Sequence, residues 1–172
     1  MDEVTITVRE ARADDALEVM RLMAQIGSES TFLIMDERGM RLNEEQMRAN
    51  LEGLAALENN VLLLALADEK AVGFFSVKAS EMERVRHIGE FAIAVERDYW
   101  GFGIGPLLME EGIEWAHANG VIRRLELTVQ KRNARAVKLY ERFGFKHEAL
   151  MKRGAFAEGE FLDVHLMSMM ID

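Results

Sequence analysis

Three glycines stand at alternate positions in "DYWGFGIGPLLMEEG": Gly101, Gly103 and Gly105, with Pro106, the single proline of the chain, directly after them. Glycine lets backbone amides approach a ligand closely, and a helix starting there offers free N–H groups and a positive dipole end. That is the chemistry of a phosphate or pyrophosphate cradle. A tight strand-to-helix turn with close helix–sheet packing would ask for the same residues, so this stretch carries two readings. Other phosphate readers fit poorly. No Gly-Lys-Ser/Thr tripeptide occurs, and the spacing G-x-G-x-G departs from the dinucleotide fingerprint G-x-G-x-x-G. Glu126, at a suggestive distance for a ribose contact, is followed by more strand residues instead of ending a strand.

The remaining reactive side chains narrow the field. There is no cysteine, which excludes disulfides, thiolate metal sites and a thiol nucleophile. His87, His117, His147 and His165 show no ligand spacing, so no metal is expected. A formal charge of −9 argues against a nucleic-acid partner and suits a cationic substrate such as an amine. No apolar run is long enough to span a membrane, and "MDEVTITVRE" does not read as a secretory signal. A cytoplasmic location is expected.

The elements that must position these groups follow from the hydrophobic period. "TITVRE" alternates as a strand, and residues 13–27 read as a helix with Val19, Leu22, Met23 and Ile26 in one stripe. Asp14 or Asp15 is the expected cap and Gly27 the expected stop. An irregular stretch with a turn at Gly39 leads to a second helix over 44–57. "VLLLALADEKAVGFFSVKAS" is a hairpin turning at Asp68, Glu69 and Lys70. "HIGEFAIAV" follows, with Phe91, Ile93 and Val95 on one side and Glu90, Ala92 and Ala94 on the other. Beyond the glycines comes a helix that has Pro106 at its first position. Its apolar stripe is Gly105, Leu108, Met109, Gly112, Ile113 and Ala116. "RRLELTVQ" is a strand, "NARAVKLYERFG" a helix capped by Asn133, and two strands around "AFAEG" close the chain. The order β-α-α-β-β-β-α-β-α-β-β is that of one mixed α/β domain over residues 1–172.

The pair "IAVERDYWGFGIGPLL" and "LELTVQKRNARAVKLYERFGF" resembles the core of the GCN5-related N-acetyltransferase family, GNAT. Its familiar pattern is Gln/Arg-x-x-Gly-x-Gly/Ala, then an Asn-x-x-Ala-x-x-x-Tyr helix ending in Gly-Phe. Here Gly103 and Gly105 match, then Asn133, Ala136, Tyr140, Gly144 and Phe145. The opening strand and helix and the closing hairpin fit too, so the resemblance covers nearly the whole chain. It implies a mostly antiparallel mixed sheet flanked by helices, and acetyl-coenzyme A as co-substrate with no metal.

The resemblance also implies site residues. Trp100, Gly101, Phe102, Gly103, Ile104, Gly105 and Pro106 would form the pyrophosphate loop, with Asn133, Ala136 and Tyr140 on the next helix. Ile93, Ala94 and Val95 would pair with the pantetheine arm, where strand 90–95 splays from strand 124–130, and an N–H there, that of Val95, would polarise the thioester carbonyl. Trp100 stands where the family usually has Gln or Arg. The backbone amides remain, and Lys131, Arg132, Arg135 or Lys138 would meet the phosphate charge, or else form a solvated basic helix face. Tyr140 matches a position that often protonates the departing thiolate, and a phenol near pKa 10 holds its proton at neutral pH. Glu90 is the candidate base, directly or through water; pairing with Arg84 or Arg86 is its structural alternative. Phe32, Met35, Trp115 and residues 155–163 read as core or turn, or as the frame of an acceptor site, with Asp36, Glu37, Glu44 and Glu45 as a nearby acidic face.

The function implied is acetyl transfer to a primary amine by direct attack in a ternary complex. The acceptor would be a small amine or polyamine, an amino acid, an antibiotic or a peptide N-terminus. A non-catalytic coenzyme A sensor is the alternative. Exposed strand edges and the ending "LMSMMI" suggest a homodimer; no nucleic acid or membrane partner is expected.

Overall fold

A computed structural model of the chain describes residues 3–172. The elements are β1 (Ile6–Glu10), α1 (Ala16–Glu29), α2 (Glu44–Ala56), β2 (Val61–Ala67), β3 (Lys70–Lys78), β4 (Ile88–Val95), α3 (Ile104–Asn119), β5 (Arg124–Gln130), α4 (Ala134–Arg142), β6 (Lys146–Ala157) and β7 (Glu160–Met170). The seven strands form one sheet in the order β1-β2-β3-β4-β5-β7-β6. Every pairing is antiparallel except β4 with β5. This is the mixed, mostly antiparallel fold and the element order expected from the sequence.

Alternation divides the core. β2 is buried at all seven positions because it has a helix layer on each face. Leu62, Leu64 and Leu66 join Phe74 under α1 and α2. Val61, Leu63, Ala65 and Ala67 join Phe75, Phe91, Leu125 and Leu127 under α3 and α4. α3 comes unusually close to the sheet at Gly112, where a β-carbon would lie 2.4 Å from the Phe75 ring.

Three local expectations are corrected. Gly27 does not stop α1, which continues to Glu29; an added β-carbon there would sit 1.9 Å from the Asp36 carbonyl oxygen, so the glycine admits the following loop. Asp15 stands at the α1 cap position without capping through its side chain. Its carboxylate takes two 2.8 Å bonds from Arg9 and one from the Arg12 N–H, and the Arg9 bonds hold it below the usual carboxylate range. Pro106 is the third residue of α3, not the first, though still in the turn whose N–H groups lack helical partners.

Among the described residues no helix is long and apolar enough to cross a membrane, and no group of three or more His, Asp or Glu could hold a metal ion.

Candidate active site

The parallel pairing of β4 with β5 is short. It joins residues 88–90 to residues 124–126 and then stops. Beyond it β4 stays on β3 as far as Val95, while β5 stays on β7 as far as Gln130. A gap therefore opens in the middle of the sheet. The Glu96 N–H donates to Val72 on the β3 side. By strand alternation, the N–H and C=O groups of Ile93 and Val95 face the gap. The Val95 carbonyl accepts a bond from the indole N–H of Trp100 at 2.7 Å.

The gap leads into a cleft of about 560 Å³ lined by Ile93, Ala94 and Val95, by Trp100, Gly101, Gly103, Ile104, Gly105 and Pro106, and by Asn133, Ala136 and Tyr140. Those are nearly all the residues expected from the sequence. Phe102 is the exception: it is 73% exposed and outside the lining. Gly101 and Gly103 have φ of +84° and +78°, and a β-carbon on either would meet nothing within 4 Å. Gly105 is helical, with only Leu139 at 3.9 Å. Close helix–sheet packing, the other reading of these glycines, belongs instead to Gly112. The Leu107 N–H is taken by the Gly103 carbonyl, which leaves those of Ile104 and Gly105 as the free helical donors, since Pro106 has none.

The turn before the glycines is held from two sides. Glu96, 3% exposed, accepts from Arg21 at 2.7 Å and from Lys70 at 3.1 Å. Glu29, at the end of α1, accepts from the Arg97 N–H at 2.8 Å, and its carbonyl takes the Arg97 guanidinium. These contacts bring Ile26, Glu29 and Phe32 into the cleft wall. Nothing local in the sequence signals them, because the partners lie far apart along the chain.

α4 supplies the opposite wall. The Asn133 side chain caps it by accepting from the Ala136 N–H at 3.3 Å. Tyr140 is 7% exposed, its ring edge-on to Phe91 and Phe145. Burial raises its phenol above the ordinary value, so it keeps its proton. Its hydroxyl makes no hydrogen bond among the described residues, and the residue borders the cleft. Of the four cations expected near the phosphates, Arg135 and Lys138 line the cleft and Lys131 does not. Arg132 is committed elsewhere: to Gln130 at 2.8 Å, Thr31 at 2.8 Å and Glu158 at 2.5 Å, with Phe32 beneath it. Arg142 joins Arg135 and Lys138, a stripe readable from the helical spacing of 135, 138 and 142.

Glu90 is exposed and outside the cleft lining. It pairs with neither Arg84 nor Arg86; Arg86 goes to Glu58 and Glu83. Trp115 lines a separate small cavity between α2 and β2. Asp36 is tied to the Arg38 N–H and to Arg41, bonds that hold its carboxyl below the usual range.

Comparisons with known proteins bear on the family and the fold. Residues 29–145 match the family described as Acetyltransferase (GNAT) family. An L-amino acid N-acetyltransferase of Escherichia coli is 33% identical over 106 residues, 62% of this chain; the match spans 65% of that protein, just under two thirds of its length. The crystal structure of a GNAT-family acetyltransferase from Streptococcus pneumoniae is 41% identical with a TM-score of 0.95, covering 98% of this chain and 100% of that one. A phosphinothricin acetyltransferase from Sinorhizobium meliloti, solved in complex with acetyl-coenzyme A, shares the fold at 21% identity and a TM-score of 0.83, covering 97% of this chain and 89% of that one.

Proposed function

The chain belongs to the GNAT acetyltransferase family, and from that premise we propose that it transfers an acetyl group from acetyl-coenzyme A to a primary amine. The observation that carries this reading is the open β4–β5 gap with two left-handed glycines beside its cleft. The residues present fit the coenzyme. Gly101 and Gly103 leave space that any β-carbon would take, the first turn of α3 offers two free N–H groups, and α4 adds three cations.

The thioester supplies the acetyl group; the chain supplies position and protons. The gap-facing edge at Ile93 and Val95 orients an extended arm through backbone hydrogen bonds, and the Val95 N–H polarises the reacting carbonyl. The amine nitrogen forms the new C–N bond as the C–S bond breaks. The amine's proton passes to Glu90 through water, since Glu90 stands outside the cleft, and Tyr140 protonates the sulfur. No thiol is needed, consistent with direct attack in a ternary complex.

The similarity to an L-amino acid N-acetyltransferase puts amino acids first among acceptors, ahead of polyamines, antibiotics and peptide N-termini. The proposal includes a cytoplasmic homodimer: the edge strand β6, exposed along most of its length, supports association, and light scattering tests it. The central test is a thermal-shift titration with acetyl-coenzyme A, with NAD and ATP as controls, followed by thiol release across an amine panel. Stabilisation by acetyl-coenzyme A alone and thiol release with an amine are expected. Stabilisation without release on any amine would favour a coenzyme sensor, and no stabilisation would overturn the reading.

A further inference from the structure

We propose that Trp100 is a positioning residue whose ring carries Arg135 to the phosphates of bound coenzyme A; the inference rests on the function proposed above.

Trp100 is pinned. Its indole N–H is spent on the Val95 carbonyl at 2.7 Å, which fixes the ring at the mouth of the gap. The Arg135 guanidinium lies 4.5 Å from that ring. Arg97 also approaches it, at 5.7 Å, but is bound to the Glu29 carbonyl. Arg135 has no carboxylate partner and no side-chain hydrogen bond among the described residues. A ring face holds a guanidinium by its π-system and leaves the N–H edge free, the edge that fits a phosphate.

The place of Arg135 along α4 strengthens the inference. It is the second residue of the helix, where the positive end of the dipole disfavours a cation. Helix stability does not account for an arginine there. An anion does: Arg135 shares the cleft with Gly101, Gly103 and Gly105. Arg132 is excluded by its three partners, and Lys138 lies a turn further along.

The test measures coenzyme A and pantetheine binding by calorimetry to the unaltered chain, W100F, W100L, R135Q and W100L/R135Q. Pantetheine shares the arm and lacks the nucleotide phosphates. Expected are a loss of roughly tenfold in coenzyme A affinity for W100L and for R135Q, with pantetheine unchanged in R135Q and losing less than coenzyme A in W100L. The double variant should be no weaker than R135Q, and W100F, which keeps a ring, should lose less than W100L. Additive losses in the double variant, equal losses for pantetheine, or unchanged coenzyme A affinity in W100L would overturn the proposal. If W100L does not fold, W100F and W100F/R135Q complete the same cycle. Failure of the unaltered chain to bind either ligand would overturn the proposed function itself.

Discussion

Glu90 and Glu126 face each other across the parallel pairing of β4 and β5, and only Glu126 is neutralised, by Arg124 at 2.8 Å. Arg124 also holds Glu148, and Lys78, opposite Glu90 in the β3–β4 register, forms no salt bridge with it among the described residues. A carboxylate without an ion-pair partner among the described residues, beside a second carboxylate, is suited to drawing in an ammonium group and taking its proton.

Glu90→Gln is therefore expected to lower kcat/KM by about a hundredfold, the usual worth of a general base. The deficit should be greatest at low pH, where the amine is protonated. A pH–rate profile of both proteins checks this, and an unchanged profile would remove Glu90 from the proton path.

Tyr140→Phe should lower kcat by about a hundredfold while leaving coenzyme A binding intact. The same residue sets an alkaline limit on stability. Its folded pKa is raised above the unfolded value of about 10. The unfolded chain therefore ionises first, and stability is lost as pH rises above about 10. Unfolding in urea at pH 9 and pH 11 should show a smaller loss in Tyr140→Phe than in the unaltered chain.

Gly103 and Gly112 separate binding from packing. Gly103→Ala meets no atom within 4 Å but holds an alanine in a left-handed backbone, and should cost about 1 kcal/mol. That same methyl group would stand off a phosphate from the amides, so coenzyme A affinity should fall. Gly112→Ala drives a methyl group into Phe75 and should cost about 2 kcal/mol with little change in affinity. Urea midpoints set beside coenzyme A titrations distinguish the two. Falling affinity in neither would return the glycine loop to a purely structural role.

Glu96→Ala removes the buried anion that joins α1, β3 and the end of β4. Arg21 and Lys70 remain partly exposed and find water, so the cost is set by the lost charged hydrogen bonds, about 2 kcal/mol. A drop in Tm of roughly 4–8 °C is expected for a chain of this size. Coenzyme A affinity should fall as well, because the turn leading to Trp100 loses its anchor.

By itself the sequence determined the elements, their order and most of the cleft's wall. Those signals are local: the alternation of β4, the apolar stripe of α3, the Asn133 cap and the glycines at 101, 103 and 105 are each legible within a dozen residues. Local signals also misled where a residue served a distant partner. Gly27 reads as a helix stop, yet its lack of a β-carbon admits Asp36, and Asp15 reads as a cap, yet its carboxylate belongs to Arg9. What only the tertiary structure decided is which charges remain unpaired. Arg132 and Arg135 are alike in sequence, three residues apart on the same basic stretch; folding brings Thr31 and Glu158 to the first and the Trp100 ring to the second. Pairing depends on contacts across as many as 101 positions of chain, and no local pattern encodes a partner at that distance.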